Sequence, residues 1–386
     1  MSFLLQAILG FFSFFVPKRK NLIVLGSTDG RLFNGNPKAF YTWLNQHQPG
    51  IRAVWSTRNP EIYEFLKQRG MPVVRPLSFK GFFILLRARY SVIEKSSLDV
   101  SYTRSITGRF DYVQTNHGTP LKKVGDDAFQ IIKNPFLDNL ARKFKLYSKL
   151  RYKYVVSKSK VESRTLLSAF GNKNIIVTGY PRNDLFFDEK LRFFDYKKSL
   201  NLDSYKKILL YAPTYRDNYP EVKPFSEKIR DLDRYLRDNH FILLVKKHPL
   251  EKALVLPGGL THIRDISGQV DDLNELLPHI DILITDYSSS FFDFVLTGKP
   301  VIYYPYDYEE YLKKCRGMYY DYFKELPGPF ARSESELLRL IKNSDIWQKN
   351  SEYLKKYQAF AGKFNAFNDG NSSERLFKVL FSELYK

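Results

Sequence analysis

Asp111–Gly125 reads DYVQTNHGTPLKKVG and places an imidazole where a β-like run ends. The alternating segment passes into Asn116-His117-Gly118-Thr119-Pro120, and the pattern predicts a helix opening at Leu121-Lys122-Lys123. Free backbone N–H groups and the positive end of a helix dipole at such a junction suit an anion. His117 there is either a structural hydrogen-bonder or a general base working beside a phosphate. A second group is hydroxylic. Ile282–Lys299 reads ILITDYSSSFFDFVLTGK, an apolar strand that exits through Thr285-Asp286-Tyr287 into Ser288, Ser289 and Ser290. Phe291, Phe292, Phe294 and Val295 then have helical spacing. Serines at the first helical positions cap free N–H groups, and the same hydroxyls and N–H groups can hold a diphosphate. Capping explains one serine; three in a row favour phosphate.

Three further strand exits carry cations. Ile176–Asn183 (IVTGYPRN) leaves its strand through Gly179 and Pro181, a sharp turn that presents Arg182 either as an ordinary turn residue or as a bidentate phosphate grip. Leu209–Asp217 (LLYAPTYRD) halts at Pro213, with Arg216 following as a surface residue or a cation for an anionic ligand. Leu244–Pro249 (LVKKHP) ends a buried strand in Lys246, Lys247 and His248. That run is either a solvated charge cluster or a phosphate site in which His248 stabilises charge on a leaving group. Asp286 offers one isolated carboxylate to Mg²⁺. No GxxxxGK[ST] loop, GxGxxG fingerprint or HExxH spacing is present.

The elements that must position these residues are short apolar runs alternating with amphipathic ones. Strands are predicted at Leu22–Leu25, Arg52–Trp55, Val73–Val74, Tyr90–Ile93, Tyr112–Thr115, Tyr154–Val156 and Ile175–Thr178. After a charged linker, Asp188–Tyr205, the rhythm restarts with strands at Lys207–Tyr211, Phe241–Val245, Ile280–Thr285 and Val301–Tyr304. This alternation means mostly parallel α/β sheets. The expected organisation is an α/β domain over 21–190, a second over 206–332, and helices over 333–386 packing back on both. Tandem α/β domains predict a cleft with ligands at the carboxyl ends of the strands.

Composition narrows the partners. Lys and Arg number 61 against 41 Asp and Glu, a net charge of +20, which calls for an anionic partner. The basic residues are dispersed, and no helix-turn-helix, RRM or zinc-finger pattern appears, so nucleic acid is not the expected partner. One cysteine, Cys315, excludes an intrachain disulfide and a Cys cluster for zinc. Residues 1–20 read MSFLLQAILGFFSFFVPKRK. The apolar run Phe3–Val16 is shorter than the ~20 residues a bilayer span needs. Ser2, Gln6, Gly10 and Ser13 share one narrow stripe of a helical wheel, which suits an interfacial helix with Lys18, Arg19 and Lys20 on anionic headgroups. A helix docked on the protein's own core is the other reading.

The motifs, taken in order, resemble the CDP-glycerol glycerophosphotransferase family, the teichoic acid primases and polymerases. The resemblance rests on NHGTPLK at Asn116–Lys122, GYPRND at Gly179–Asp184, APTYR at Ala212–Arg216 and KxHP at Lys246–Pro249. TDYSS at Thr285–Ser289, GKPVI at Gly298–Ile302 and ELPGP at Glu325–Pro329 complete it. It implies a GT-B-like fold, two Rossmann-type domains facing across a cleft. It also implies transfer of glycerol phosphate from CDP-glycerol to a hydroxyl of an undecaprenyl-diphosphate-linked disaccharide, with release of CMP and no cofactor. Under it, His117 is the general base and His248 a catalytic group at the donor phosphates. Gly118, Thr119, Arg182, Arg216, Lys246, Thr285, Asp286, Ser288 and Ser289 become substrate-binding. The implied location is the cytoplasmic face of the membrane, bound peripherally. Family polymerases often carry a long extra N-terminal region, whereas primases approach this length, so the chain resembles a primase. Asn116 stands where family members often have Trp. Transfer of ribitol phosphate, capsule-polymer synthesis and a sugar-nucleotide glycosyltransferase are the alternatives.

Overall fold

The structure, a computed structural model, describes residues 15–101, 110–129, 152–216, 224–247, 254–314 and 317–384. Most of the apolar N-terminal run, together with His248 and Cys315, lies outside the described residues. The chain forms two compact units. Unit 1 takes its residues from Met1–His117, Ile132–Leu191 and Ala366–Lys386, and unit 2 from Gly118–Ile131 and Arg192–Asn365.

Unit 1 is built on seven strands: β1 (Arg19–Leu25), β2 (Arg52–Ser56), β3 (Val73–Val74), β4 (Ala88–Ile93), β5 (Asp111–Gln114), β6 (Tyr152–Ser157) and β7 (Ile175–Val177). Their order is β3-β2-β1-β4-β5-β6-β7 and every pairing is parallel. Unit 2 repeats the pattern with β8 (Lys207–Ala212), β9 (Phe241–Val245), β10 (Ile263–Asp265), β11 (Ile282–Thr285) and β12 (Val301–Tyr303). Here the order is β10-β9-β8-β11-β12, again wholly parallel. Parallel strands covered on both faces read as unbroken apolar runs; Leu209, Leu210, Leu243, Leu244, Leu283 and Ile284 are all completely buried. In each unit the strand order reverses beside the first strand, between β1 and β4 and between β8 and β11. At such a point the flanking loops diverge and open a crevice at the strand carboxyl ends.

The eleven strands expected from sequence all form, with ends shifted by at most three residues. β10 carries no apolar run, only Ile263-Arg264-Asp265, and was not anticipated. The expected linker Asp188–Tyr205 contains the change from unit 1 to unit 2, at Leu191/Arg192. It is not an open connection: Leu191, Tyr196, Leu200 and Leu202 are buried. The C-terminal helices divide. Glu334–Lys342 and Ser351–Phe364 belong to unit 2, and Ser372–Phe381 belongs to unit 1.

That last helix is docked through a buried carboxylate. Asp184 accepts from the backbone N–H of Ser372 (2.9 Å) and Ser373 (2.7 Å) at the helix start. Gly179, at φ 80°, lets the chain turn beneath it, and a Cβ there would lie 2.4 Å from Ser372 Oγ. Burial pushes the Asp184 carboxyl up to about 6, although the two N–H donors pull the other way. A carboxyl that binds its proton more tightly when folded contributes stability at low pH and loses that contribution as pH rises through its folded pKa. Unfolding midpoints should therefore decline between about pH 4 and pH 6.5, by roughly 2–3 kcal/mol relative to Asp184→Asn over the same range. Parallel pH profiles of the two proteins would contradict this assignment.

Candidate active site

The His117 group sits in unit 1. β5 ends at Gln114, and Thr115 still follows the sheet, its N–H donating to Ile93 O at 2.8 Å. The chain then turns sharply: Asn116 adopts φ 55° and Gly118 φ 149°. Asparagine tolerates the left-handed region better than most side chains, and Asn116 adds a bond from Nδ2 to Val156 O at 3.2 Å. Completely buried Asn36 donates from Nδ2 to Thr115 O (2.9 Å) and to Asn116 O (2.8 Å). Arg182 donates from Nη1 to His117 O at 2.8 Å, and its backbone N–H donates to Asn36 Oδ1 at 3.2 Å. The backbone on either side of His117 is thereby fixed by Asn36 and Arg182, while the imidazole itself is exposed.

Two expectations change here. No helix follows directly after His117. Lys122 instead bridges antiparallel to Met318, Lys123 N donates to Gly317 O, and Tyr319 N donates to Leu121 O. Those bonds take the backbone groups a helix would use, and the first helical turn begins only at Asp126. The anion-binding helix end expected beside His117 is therefore absent. Arg182 is the second change. Only 6% exposed, it holds the His117 carbonyl from inside the unit and lies over the Tyr180 ring, in place of the expected surface grip on phosphate. Gly118 and Thr119, the first residues of unit 2, are both buried, and Thr119 Oγ1 has no hydrogen-bond partner among the described residues.

Unit 2 gathers the second group at the carboxyl ends of β9, β8 and β11. β11 exits into Ser288, Ser289 and Ser290, all half-buried. The helix that follows is a single turn, Phe291–Phe294, and its N-cap Ser290 makes no side-chain cap bond. Ser288 Oγ lies 3.1 Å from Ser290 Oγ. Ser288 Oγ also accepts from Ser290 N at a long 3.4 Å, so one of the three hydroxyls serves the turn weakly. Just past β8, Thr214 is 8% exposed and its hydroxyl has no partner among the described residues. On β9, Lys247 pairs with Asp265 at 2.6 Å, whereas Lys246 makes no ion pair among the described residues and donates only to Ser267 O at 3.4 Å. Burial lowers the Lys246 pKa, with Asp271 and Asp265 partly offsetting it. A cation desolvated without a paired carboxylate is stabilised by an incoming anion.

Arg216, Asp286 and Thr285 differ from expectation. Arg216 is 4% exposed and forms a fork with Asp307, Nε to Oδ2 and Nη2 to Oδ1, both at 2.9 Å. Its Nη1 reaches Asp286 Oδ2 at 2.6 Å. Asp286 Oδ1 accepts from Thr214 N at 2.8 Å, and Tyr287 OH donates to Asp307 at 3.0 Å. Burial pulls the Arg216 pKa down, but the two carboxylates more than offset this and hold it above its ordinary value. The guanidinium is consequently a buried tie between the exits of β8, β11 and the loop after β12, not a ligand to an open phosphate. The carboxylate considered for Mg²⁺ is thus engaged at both oxygens, Oδ2 by the guanidinium and Oδ1 by the backbone N–H groups of Thr214 and Tyr287. Thr285 is completely buried, its hydroxyl donating to Ala212 O at 2.7 Å. Among the described residues no cluster of three His, Cys, Asp or Glu is arranged to hold a metal.

Sequence reasoning missed Asn36, Thr214 and Asp307. Asn36 sits in Asn34-Gly35-Asn36-Pro37, which reads as a helix start, and nothing local links it to residue 115. Thr214 lies inside the APTYR motif and was passed over for its charged neighbour. Asp307 follows a strand exit, as every other site residue does, and that placement was its only signal.

The arrangement of hydroxyls, a desolvated lysine and a separate exposed imidazole fits transfer of a phosphorylated group, and comparison with known proteins agrees. The family model CDP-Glycerol:Poly(glycerophosphate) glycerophosphotransferase matches residues 8–382. A teichoic acid glycerol-phosphate transferase of Staphylococcus aureus is 32% identical over 374 residues, 94% of this chain and 93% of that protein. A teichoic acid poly(glycerol phosphate) polymerase of Bacillus spizizenii is 31% identical over 382 residues, covering 95% and 93%. The solved structure of the wall teichoic acid polymerase TagF superposes with a TM-score of 0.78 at 28% identity, covering 98% of this chain and 93% of that one. With the match running through both units, the chain belongs to the CDP-glycerol:poly(glycerophosphate) glycerophosphotransferase family.

Proposed function

We propose that this protein transfers glycerol phosphate from CDP-glycerol to a hydroxyl of a lipid-linked disaccharide acceptor, the priming step of teichoic acid synthesis. The observation that carries the reading is the strand-order switch between β8 and β11. Ser288, Ser289 and Thr214 follow those strand ends with hydroxyls, and Lys246, after neighbouring β9, is a desolvated cation whose charge Asp271 and Asp265 only partly offset. His117 takes the acceptor proton, the acceptor oxygen bonds to phosphorus, and the phosphorus–oxygen bond to CMP breaks. Such chemistry gains most of its acceleration from positioning and charge neutralisation. His248 keeps the leaving-phosphate role that the family resemblance gives it. Two open, wholly parallel sheets with a strand-order switch in each support the GT-B-like reading. The location proposed is the cytoplasmic face of the membrane, reached peripherally: no helix among the described residues is long and apolar enough to cross a bilayer.

Chain length no longer favours a primase over a polymerase. Relatives of similar length carry both a transferase and a polymerase name, so polymerisation is the second reading. The deciding experiment is CMP release from CDP-glycerol by purified protein with a lipid-linked ManNAc-GlcNAc acceptor. Acceptor-dependent CMP with one added unit supports priming, and a ladder of products supports polymerisation. Absence of release with CDP-glycerol, but release with CDP-ribitol or a sugar nucleotide, would overturn the donor.

The serine cradle has its own test. Ser288→Ala combined with Ser289→Ala should weaken CDP-glycerol binding by roughly 100-fold or more, because each lost hydrogen bond to a charged group costs about 1.5–3 kcal/mol. The thermal midpoint should move little, since Ser288 Oγ gives up only the long bond from Ser290 N and its contact to Ser290 Oγ. Calorimetric titration returning wild-type affinity would remove the cradle from the donor site.

A further inference from the structure

Helix Phe79–Arg87 connects the edge strand β3 to β4 and is apolar on both sides. Its inner face places Ile84, Leu85 and Leu86 in the unit 1 core. Its outer face carries Phe79 and Phe83, one turn apart and 89% and 59% exposed, and Leu77 just before the N-cap is 70% exposed. Phe79 is the most exposed large apolar side chain among the described residues. Ser78 Oγ accepts from Gly81 N at 3.0 Å and caps the helix, so the outer stripe belongs to a formed element. A helix apolar all round belongs in a core or in lipid, and an apolar patch left open marks an interaction surface.

Charge and chain path select the partner. Between Phe65 and Ile93 the sequence has Lys67, Arg69, Arg75, Lys80, Arg87 and Arg89 and no acidic residue. Lys80 and Arg87, both on this helix, make no ion pair among the described residues. Lys18 Nζ donates to Leu86 O at 2.8 Å, and Val16 packs with Phe82 against the same core. Val16 and Lys18 thus meet the folded unit beside this helix, where Phe15 is itself 70% exposed.

We propose that Leu77, Phe79 and Phe83, flanked by Lys80 and Arg87, form a second membrane-docking face that inserts its apolar side chains into an anionic bilayer surface. The proposal rests on the peripheral-membrane reading above and adds a folded contact to the N-terminal one. Apolar insertion and headgroup attraction act together at such a face, and the electrostatic part weakens with salt.

The test uses the full chain, with vesicles of phosphatidylglycerol in phosphatidylcholine and of phosphatidylcholine alone. Phe79→Ser combined with Phe83→Ser should lower vesicle affinity by about tenfold or more. Lys80→Glu should lower it only for the anionic vesicles, by about fivefold. Unfolding midpoints should be unchanged in both. Vesicle binding that survives Phe79→Ser/Phe83→Ser would overturn this face while leaving the N-terminal segment as the membrane contact. A failure of the unaltered chain to bind vesicles would overturn the membrane reading as a whole. A lowered midpoint, or a change in molecular mass by light scattering, with vesicle affinity unchanged would assign the face to the chain's own N-terminus or to a second copy, and overturn the proposal.

Discussion

His117→Ala should lower turnover with CDP-glycerol and acceptor by about 10²–10⁴, while the dissociation constant for CDP-glycerol stays within about twofold of the unaltered protein. The split follows from where the groups sit. The hydroxyls and the lysine proposed for the donor all belong to unit 2, whereas His117 is the last residue of a unit 1 loop. An alanine there removes an exposed imidazole and keeps the bonds to the loop carbonyls, since Arg182 holds the His117 carbonyl and Asn36 holds the carbonyls of Thr115 and Asn116. The expected loss is therefore chemical, not conformational. Arg182→Ala provides the contrast. It should cost about tenfold in turnover through misplacement of the imidazole, with the imidazole still present. Single-turnover CMP release beside calorimetric donor titration reads both quantities. Turnover of His117→Ala close to wild type would exclude it as the base, and a matching loss of donor affinity would make it a binding residue.

Much of this arrangement was legible in the sequence because parallel α/β sheets announce themselves. Strands buried on both faces keep charge out of their centres, so runs such as Ile208–Tyr211 and FILLV stand out against the polar helices between them. The same physics made every strand exit a candidate, since ligands gather at carboxyl ends. Sequence could not show which exit residues face outward. Arg182 and Arg216 have the charge to hold a phosphate, yet both turn inward: one finds a backbone carbonyl, the other two carboxylates. Those partners lie 65 to 91 positions away along the chain. Local pattern carries no trace of such pairings. The missing helix after His117 has a related cause. Leu-Lys-Lys has good helical propensity, but a tertiary pairing with Gly317–Tyr319 satisfies the same backbone groups.

Arg216→Ala should destabilise the protein by about 3–5 kcal/mol, the cost of breaking a buried ion pair from one side. The variant leaves the carboxylates of Asp286 and Asp307 buried and facing each other's field, with Tyr287 OH, Tyr287 N and Thr214 N among their remaining donors. On a total stability of about 5–15 kcal/mol that is a large fraction, and a lower urea midpoint is the direct readout. Arg216→Lys should recover only part of the loss. A single ammonium cannot reproduce the fork to Asp307 while also reaching Asp286 and the Thr214 carbonyl. Donor affinity offers the discriminating measurement. If Arg216 acted mainly on the donor phosphate, as its motif suggests, Arg216→Ala would keep its urea midpoint and lose CDP-glycerol affinity. If it acts as the tie seen here, stability falls first. Donor binding then weakens in proportion to how far the Thr214 and Ser288 loops separate, and Asp307→Asn, which never touches phosphate, should reproduce the same pattern in milder form.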